Sequence, residues 1–145
     1  TDLEEGMYRL TIGDLFIDNL SSKELADGVN LAIYPNTPQY QQAAKIMYLN
    51  EERFEVEKRF REYLWTECSF LKKEGLLFAD NQQAVDKLKE YLPKDIFLKA
   101  SYDWYIKAMH PEIREVWGDY IKKIVETIYK INRPVTQKVR LTKIE

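Results

Sequence analysis

The stretch TPQYQQAAKIMYLNEERFEVEKRFREYLWTECSFLKKEG, residues 37–75, decides the reading of this chain. It predicts one long helix. Thr37 is a good N-cap, and Pro38 suits the first helical position, where its missing N–H costs nothing. Gly75 closes the run as a residue free to take the left-handed conformation that ends helices. No Gly or Pro interrupts the span between them. Ile46, Leu49, Val56, Phe60, Tyr63, Leu64 and Leu71 recur at helical spacing and predict one buried stripe. Glu51, Glu52, Glu55, Glu57, Lys58, Arg59 and Glu62 fill the other faces. At 1.5 Å per residue such a rod is roughly 55 Å long, more than the diameter of a small domain. Either other elements pack along part of it or it bends.

The 145 residues around this rod suggest one domain, able to bury about 70% of its unfolded surface. A content of 45% hydrophobic and 13% aromatic residues places the chain among globular proteins. A formal net charge of -2 removes the generic electrostatic case for nucleic acid. Cys68, alone in the chain, has no partner for an internal disulfide; mid-helix, it reads as a small half-buried apolar residue. No apolar run approaches the roughly 20 residues of a membrane span, and no signal peptide is visible. The chain starts Thr1-Asp2 without an initiator Met, which fits a processed or excised piece of a longer protein.

Upstream of the rod, an acidic lead (Asp2, Glu4, Glu5) precedes two alternating segments that predict a β-hairpin over residues 7–20, with Gly13-Asp14 as its two-residue turn. Isolated hairpins are marginal in water, so this one needs a further strand. Ser21 to Glu24 forms a capping-box pattern that opens a short helix over 22–27, closed by Gly28.

Downstream, helical segments continue to residue 132. Asp80 and Asn81 offer an N-cap before Ala84, Val85, Leu88, Tyr91 and Leu92, and Pro93 interrupts that helix. An aromatic-rich segment from Ile96 to Met109 ends near His110. Pro111, with Glu112 and Glu115 behind it, begins the last helix, whose wide apolar face runs from Ile113 to Ile131. Asn132-Arg133-Pro134 ends it, and residues 135–144 predict a strand that joins the hairpin in a small antiparallel sheet. The expected fold class is therefore mainly α (α+β): a small sheet, one long helix and two to three further helices packed on it. No repeat or linker divides the chain, so a single domain over 1–145 is expected.

The blocks Gly6-Met7-Tyr8-Arg9-Leu10-Thr11-Ile12, then Ser22-Lys23-Glu24-Leu25-Ala26-Asp27-Gly28-Val29-Asn30-Leu31-Ala32, then Thr37-Pro38 and Gln42-Ala43-Ala44 fall in a fixed order. That order resembles the region after the catalytic domain of certain SGNH (GDSL-like) esterases. There a segment reading G-x-Y-x-L-x-I-D, S-x-x-E-L-A-x-G-V-N-L-A, T-P and Q-A follows the catalytic Asp-x-x-His loop. The resemblance covers about residues 6 to 64; the remainder agrees in helical character. It implies a helical tail that packs on a hydrolase domain of the same polypeptide, possession of an ester substrate by the parent enzyme, with a carbohydrate ester as one candidate, and an extracytoplasmic (periplasmic or secreted) location.

Chemistry of that family needs a Gly-Asp-Ser nucleophile, a Gly and an Asn at the oxyanion, and Asp-x-x-His. Gly13-Asp14-Leu15 mimics the first block, but Leu15 has no hydroxyl. His110-Pro111 matches the end of the last block, yet Lys107 stands where the Asp belongs. No catalytic residue, cofactor-binding residue or metal ligand is therefore assigned in this chain, and hydrolysis is expected from residues upstream of it.

Other tempting features have plainer readings. Trp65, Trp104, Trp117 and the ten tyrosines could form a carbohydrate platform, but at helical spacing they read as core or inter-domain contacts. His110 reads as a junction residue, with no second His and no Cys pair to support a metal. Glu51 and Glu52 sit on a solvated face. Arg53, Lys58, Arg59 and Arg61 could hold an anion, but read as i,i+4 partners of Glu55, Glu57 and Glu62. Asn30 is expected to fix backbone groups ahead of the long helix. Two readings of function follow: a non-catalytic helical C-terminal region of an SGNH/GDSL-like esterase, or a free-standing α-helical protein-interaction or ligand-binding module.

Overall fold

The computed structural model describes residues 3–144, so Asp2 of the acidic lead lies outside the described residues. Its elements run β1 (Met7–Ile12), β2 (Leu15–Ser21), α1 (Ser22–Asp27), a 3-10 turn (Leu31–Ile33), α2 (Pro38–Thr66), α3 (Gln82–Tyr91), α4 (Ile96–Ala108), α5 (Pro111–Ile131) and β3 (Val139–Lys143). This is the mainly helical architecture with a small antiparallel sheet that the patterning predicts. The chain divides into two compact units, one of Thr1–Tyr48 with Ile128–Glu145 and one of Leu49–Thr127.

The first unit is built on the sheet, with strand order β2-β1-β3. The hairpin turns on Gly13, whose φ of 60° is one that Gly adopts without strain, and Ile12 pairs with Leu15 across it. A register shift between Leu10 and Thr11 leaves Ile17 as an extra residue on β2, which turns it inward to join Leu10, Ile12 and Leu20 in the core. β3 pairs antiparallel with β1, Lys143 opposite Tyr8 and Val139 opposite Ile12. The strand begins at Val139 and not at Val135 because its partner ends. The Gly13 N–H still reaches the Lys138 carbonyl at 2.8 Å, but beyond Gly13 the β1 backbone has turned away.

Short-range polar bonds fix the connection to α2. Ser21 accepts from the Glu24 N–H while the Glu24 carboxylate accepts from the Ser21 N–H, a complete capping box. The Asn30 side-chain Oδ1 accepts from the Ala32 N–H at 3.1 Å, fixing a backbone group ahead of the long helix as expected. Thr37, almost fully buried, donates to the Tyr34 carbonyl at 3.0 Å and accepts from the Tyr40 N–H at 3.3 Å. The Gln42 amide donates to the carbonyls of Ile131 and Arg133, at 2.6 and 2.8 Å, and so satisfies acceptors left over where α5 ends.

The second unit is helical. Asn81 caps α3 on the Ala84 N–H, and Asp95 caps α4 on the Phe97 and Leu98 N–H groups. Its buried centre includes Val56, Phe70, Leu71, Leu88, Leu98 and Trp117. The regular α2 stops at Thr66, and the helical path continues as a π turn, Glu67–Leu71, and a 3-10 turn, Lys72–Glu74. Gly75 then ends it at φ 70°. The Leu76 N–H reaches the Leu71 carbonyl and the Gly75 N–H reaches the Lys72 carbonyl, the paired bonds of a Schellman ending.

The predicted stripe is only partly inside. Val56, Tyr63 and Leu71 are buried, Ile46, Leu49 and Phe60 are half-buried, and Leu64 is exposed. Leu64 lies about 100° around the helix from Tyr63, so one face does not bury both. Cys68 is exposed, not half-buried, because the π turn directs Glu67, Phe70 and Leu71 inward.

Candidate functional site

Residues that suggested chemistry are dispersed. Leu15 opens β2, directly after the hairpin turn. His110 is exposed between α4 and α5, its carbonyl accepting from the N–H groups of Ile113 and Arg114. The Ser21 hydroxyl is committed to the Glu24 carboxylate at 2.7 Å. Trp65 meets Phe70 edge-on at 5.3 Å, and Trp104 meets Trp117 at 6.3 Å, so the tryptophans pack against the helical core. Arg53 and Arg61 both approach Glu57 at 3.7 Å, as the spacing suggests. Arg59 instead lies over the Trp104 and Trp117 rings, at 5.0 and 5.4 Å, because two aromatic faces within reach hold a weakly hydrated guanidinium well. Among the described residues no group of three or more His, Cys, Asp or Glu side chains is placed to hold a metal ion. Among the described residues no helix is long and apolar enough to cross a membrane.

The most unusual polar cluster was not singled out from the sequence. Glu67, in the π turn, is completely buried. Its Oε2 accepts the Phe78 N–H at 2.6 Å, while Oε1 meets no donor at hydrogen-bonding geometry. Beside it lie Tyr105, also buried with its hydroxyl unpartnered, and Tyr63, whose ring stacks on that of Tyr105 at 5.8 Å. Tyr63 donates to Asp80 Oδ1 at 2.8 Å, and Arg114 donates to Asp80 Oδ2 at 3.0 Å. Arg114 also donates to the Ala108 carbonyl at the end of α4 and lies 4.9 Å over the Tyr63 ring. Position 67 was legible in principle: with Tyr63, Phe70 and Leu71 it falls at i, i+4, i+7 and i+8 of one buried face. Its charge, among so many exposed glutamates, hid that.

Electrostatics follow from burial. Loss of water pushes the Glu67 pKa up, against the lowering effect of the Phe78 N–H, with nearby Asp80 raising it further. Burial, followed by the bond to Asp80, raises the Tyr63 pKa, and burial with the Glu67 charge raises that of Tyr105. Both phenols therefore stay protonated and are poor nucleophiles near neutral pH. The arrangement as it stands anchors a loop.

That loop, Gly75 to Asn81, is strained. The Ala79 N–H closes a turn on the Leu76 carbonyl at 3.0 Å, which places Phe78 at its third position with φ 55°. Glycine or asparagine is the usual choice there; a bulky residue costs about 1–3 kcal/mol. Asp80 also has positive φ, at 44°. Glu67 pins the loop through Phe78, while Tyr63 and Arg114 pin it through Asp80. Phe78 remains 52% exposed and walls a cavity of about 430 Å³ with Phe60, Tyr63, Leu64, Asp80 and Arg114.

Comparison with known proteins assigns this fold. A comparison with curated protein sequences finds no match. Among solved structures, the chain is similar to a gut microbial diltiazem-metabolizing enzyme, at 42% identity and a TM-score of 0.91 over 97% of its own length. It spans 32% of the length of that enzyme. Residues 44–133, from within α2 to just past α5, match the family described as the diltiazem deacetylase C-terminal helical domain. The chain belongs to that family of C-terminal helical domains.

Proposed function

We propose that this chain is the non-catalytic C-terminal region of an SGNH/GDSL-like ester hydrolase, shaping and stabilising a catalytic portion of the same polypeptide. The observation that carries this reading is the likeness at 42% identity to about one third of a diltiazem-metabolizing enzyme. The order of sequence blocks that resembles the post-catalytic region of SGNH esterases supports it. So does the commitment of two hydroxyls, with Ser21 held by a capping carboxylate and Tyr63 by Asp80. The reaction assigned to the parent protein is deacetylation of an ester, since the family is named for a deacetylase. An acetylated carbohydrate is the first substrate class to try, and an extracytoplasmic location, periplasmic or secreted, goes with that reading.

Hydrolysis of p-nitrophenyl acetate tests it. The 145-residue chain should give no turnover above background, and the complete polypeptide should turn over until the Ser of its Gly-Asp-Ser block is replaced by Ala. Turnover by the isolated chain that disappears with His110→Ala would overturn the assignment.

A further inference from the structure

The Phe78 turn holds a bulky aromatic residue where the backbone favours glycine, and Glu67 and Asp80 hold that turn in place from beneath. Strain of this kind persists when the surrounding structure enforces it, and it collects at sites with a job to do. Within the chain the Phe78 ring gains little: its nearest aromatic neighbour, Tyr63, is tilted at 6.3 Å, and half of the side chain faces solvent. Leu64, on the same cavity, is 47% exposed. Arg114 and Asp80, the cation and anion at the cavity, already neutralise one another at 3.0 Å. A partner for this face should therefore be apolar and bring no charge of its own, inserting one or two large side chains into a space of about 430 Å³.

We propose that the Phe78–Leu64 face is where the ester-hydrolase portion of the same polypeptide docks; the identity of that occupant rests on the function proposed above. The matched solved enzyme points to it, because this chain accounts for only 32% of that enzyme's length, leaving most of it free to cover such a face. Docking rewards the aromatic side chain that the turn tolerates at a cost, and the Glu67 and Asp80 bonds keep it presented in one position.

Hydroxyl-radical footprinting of the complete polypeptide tests the docking with an internal standard. Phe97 is 72% exposed and Phe78 is 52% exposed, so a free Phe78 would be labelled at a similar rate. Docking predicts at least fivefold less label on Phe78 than on Phe97, with Leu64 protected alongside it. Labelling of Phe78 within twofold of Phe97 overturns the proposal. Protection that disappears on dilution also overturns it, because the occupant is then a second copy. The same sample is assayed on p-nitrophenyl acetate. An inactive polypeptide refutes the esterase reading and with it the named occupant, whereas an active one with Phe78 freely labelled refutes the docking alone.

Discussion

In the sheet unit the apolar cluster is Leu10, Ile12, Ile17 and Leu20, with no charged group among them, and short-range polar bonds close the turns and helix ends. The helical unit is the reverse. Its apolar centre encloses Glu67, a carboxylate whose one strong bond reaches across 11 residues to a loop. The first unit is thus specified by local chemistry and strand pairing, and the second by packing that converges from distant parts of the sequence. The buried Thr37 of the first is satisfied by its neighbours in sequence, whereas Glu67 of the second is satisfied only once the fold exists.

The sharpest break of that contrast is in the helical core. Leu88→Ala, at a side chain with no exposed surface, should cost about 3–4 kcal/mol, read as the chemical unfolding midpoint. Glu67→Ala comes next, at about 2–3 kcal/mol, since it leaves a cavity and an unpaired Phe78 N–H. Glu67→Gln keeps the shape and the acceptor and sharpens the point through pH. Burial raises the Glu67 pKa, so the stability it contributes is complete below the ordinary carboxylate range and is lost as pH rises through the folded value. Glu67→Gln should therefore gain on the parent chain as the medium moves from about pH 4 to about pH 7 in thermal melts. A difference that stays flat with pH would mean that the carboxyl is solvated.

In the sheet unit the effects should be smaller. Gln42→Ala removes two donors to the end of α5 and should cost about 1 kcal/mol, with faster amide exchange in the last turn of that helix. Lys143→Ala removes an exposed pair with Glu4 at 2.7 Å and should leave the melting temperature unchanged in moderate salt.

The same division governs what was legible beforehand. Ser21 with Glu24, Gly13-Asp14, Asn81, Pro111 and Gly75 each announce a cap or turn through chemistry confined to a few residues, and each stands where expected. The strand pairing of β3 with β1 followed from a hairpin that needed a third strand. What stayed hidden depends on distant partners: the π turn, the inward Glu67, the tryptophans that claim Arg59, and an aromatic residue at positive φ. Propensity offers Glu67 as one more surface charge, and only its phase relative to Tyr63 and Phe70 says otherwise.

The pairing of β1 with β3 carries a mechanical consequence. Tyr8 lies opposite Lys143, and the Ile144 N–H reaches the Met7 carbonyl at 2.9 Å, so the outer ends of both strands lie side by side. A load drawn between them would open the ladder one bond at a time, like a zip, and would not shear the strands past each other. Conversely, a short peptide bridging these ends would fit a circular permutant, with new ends cut at a surface bend such as the one around Pro93.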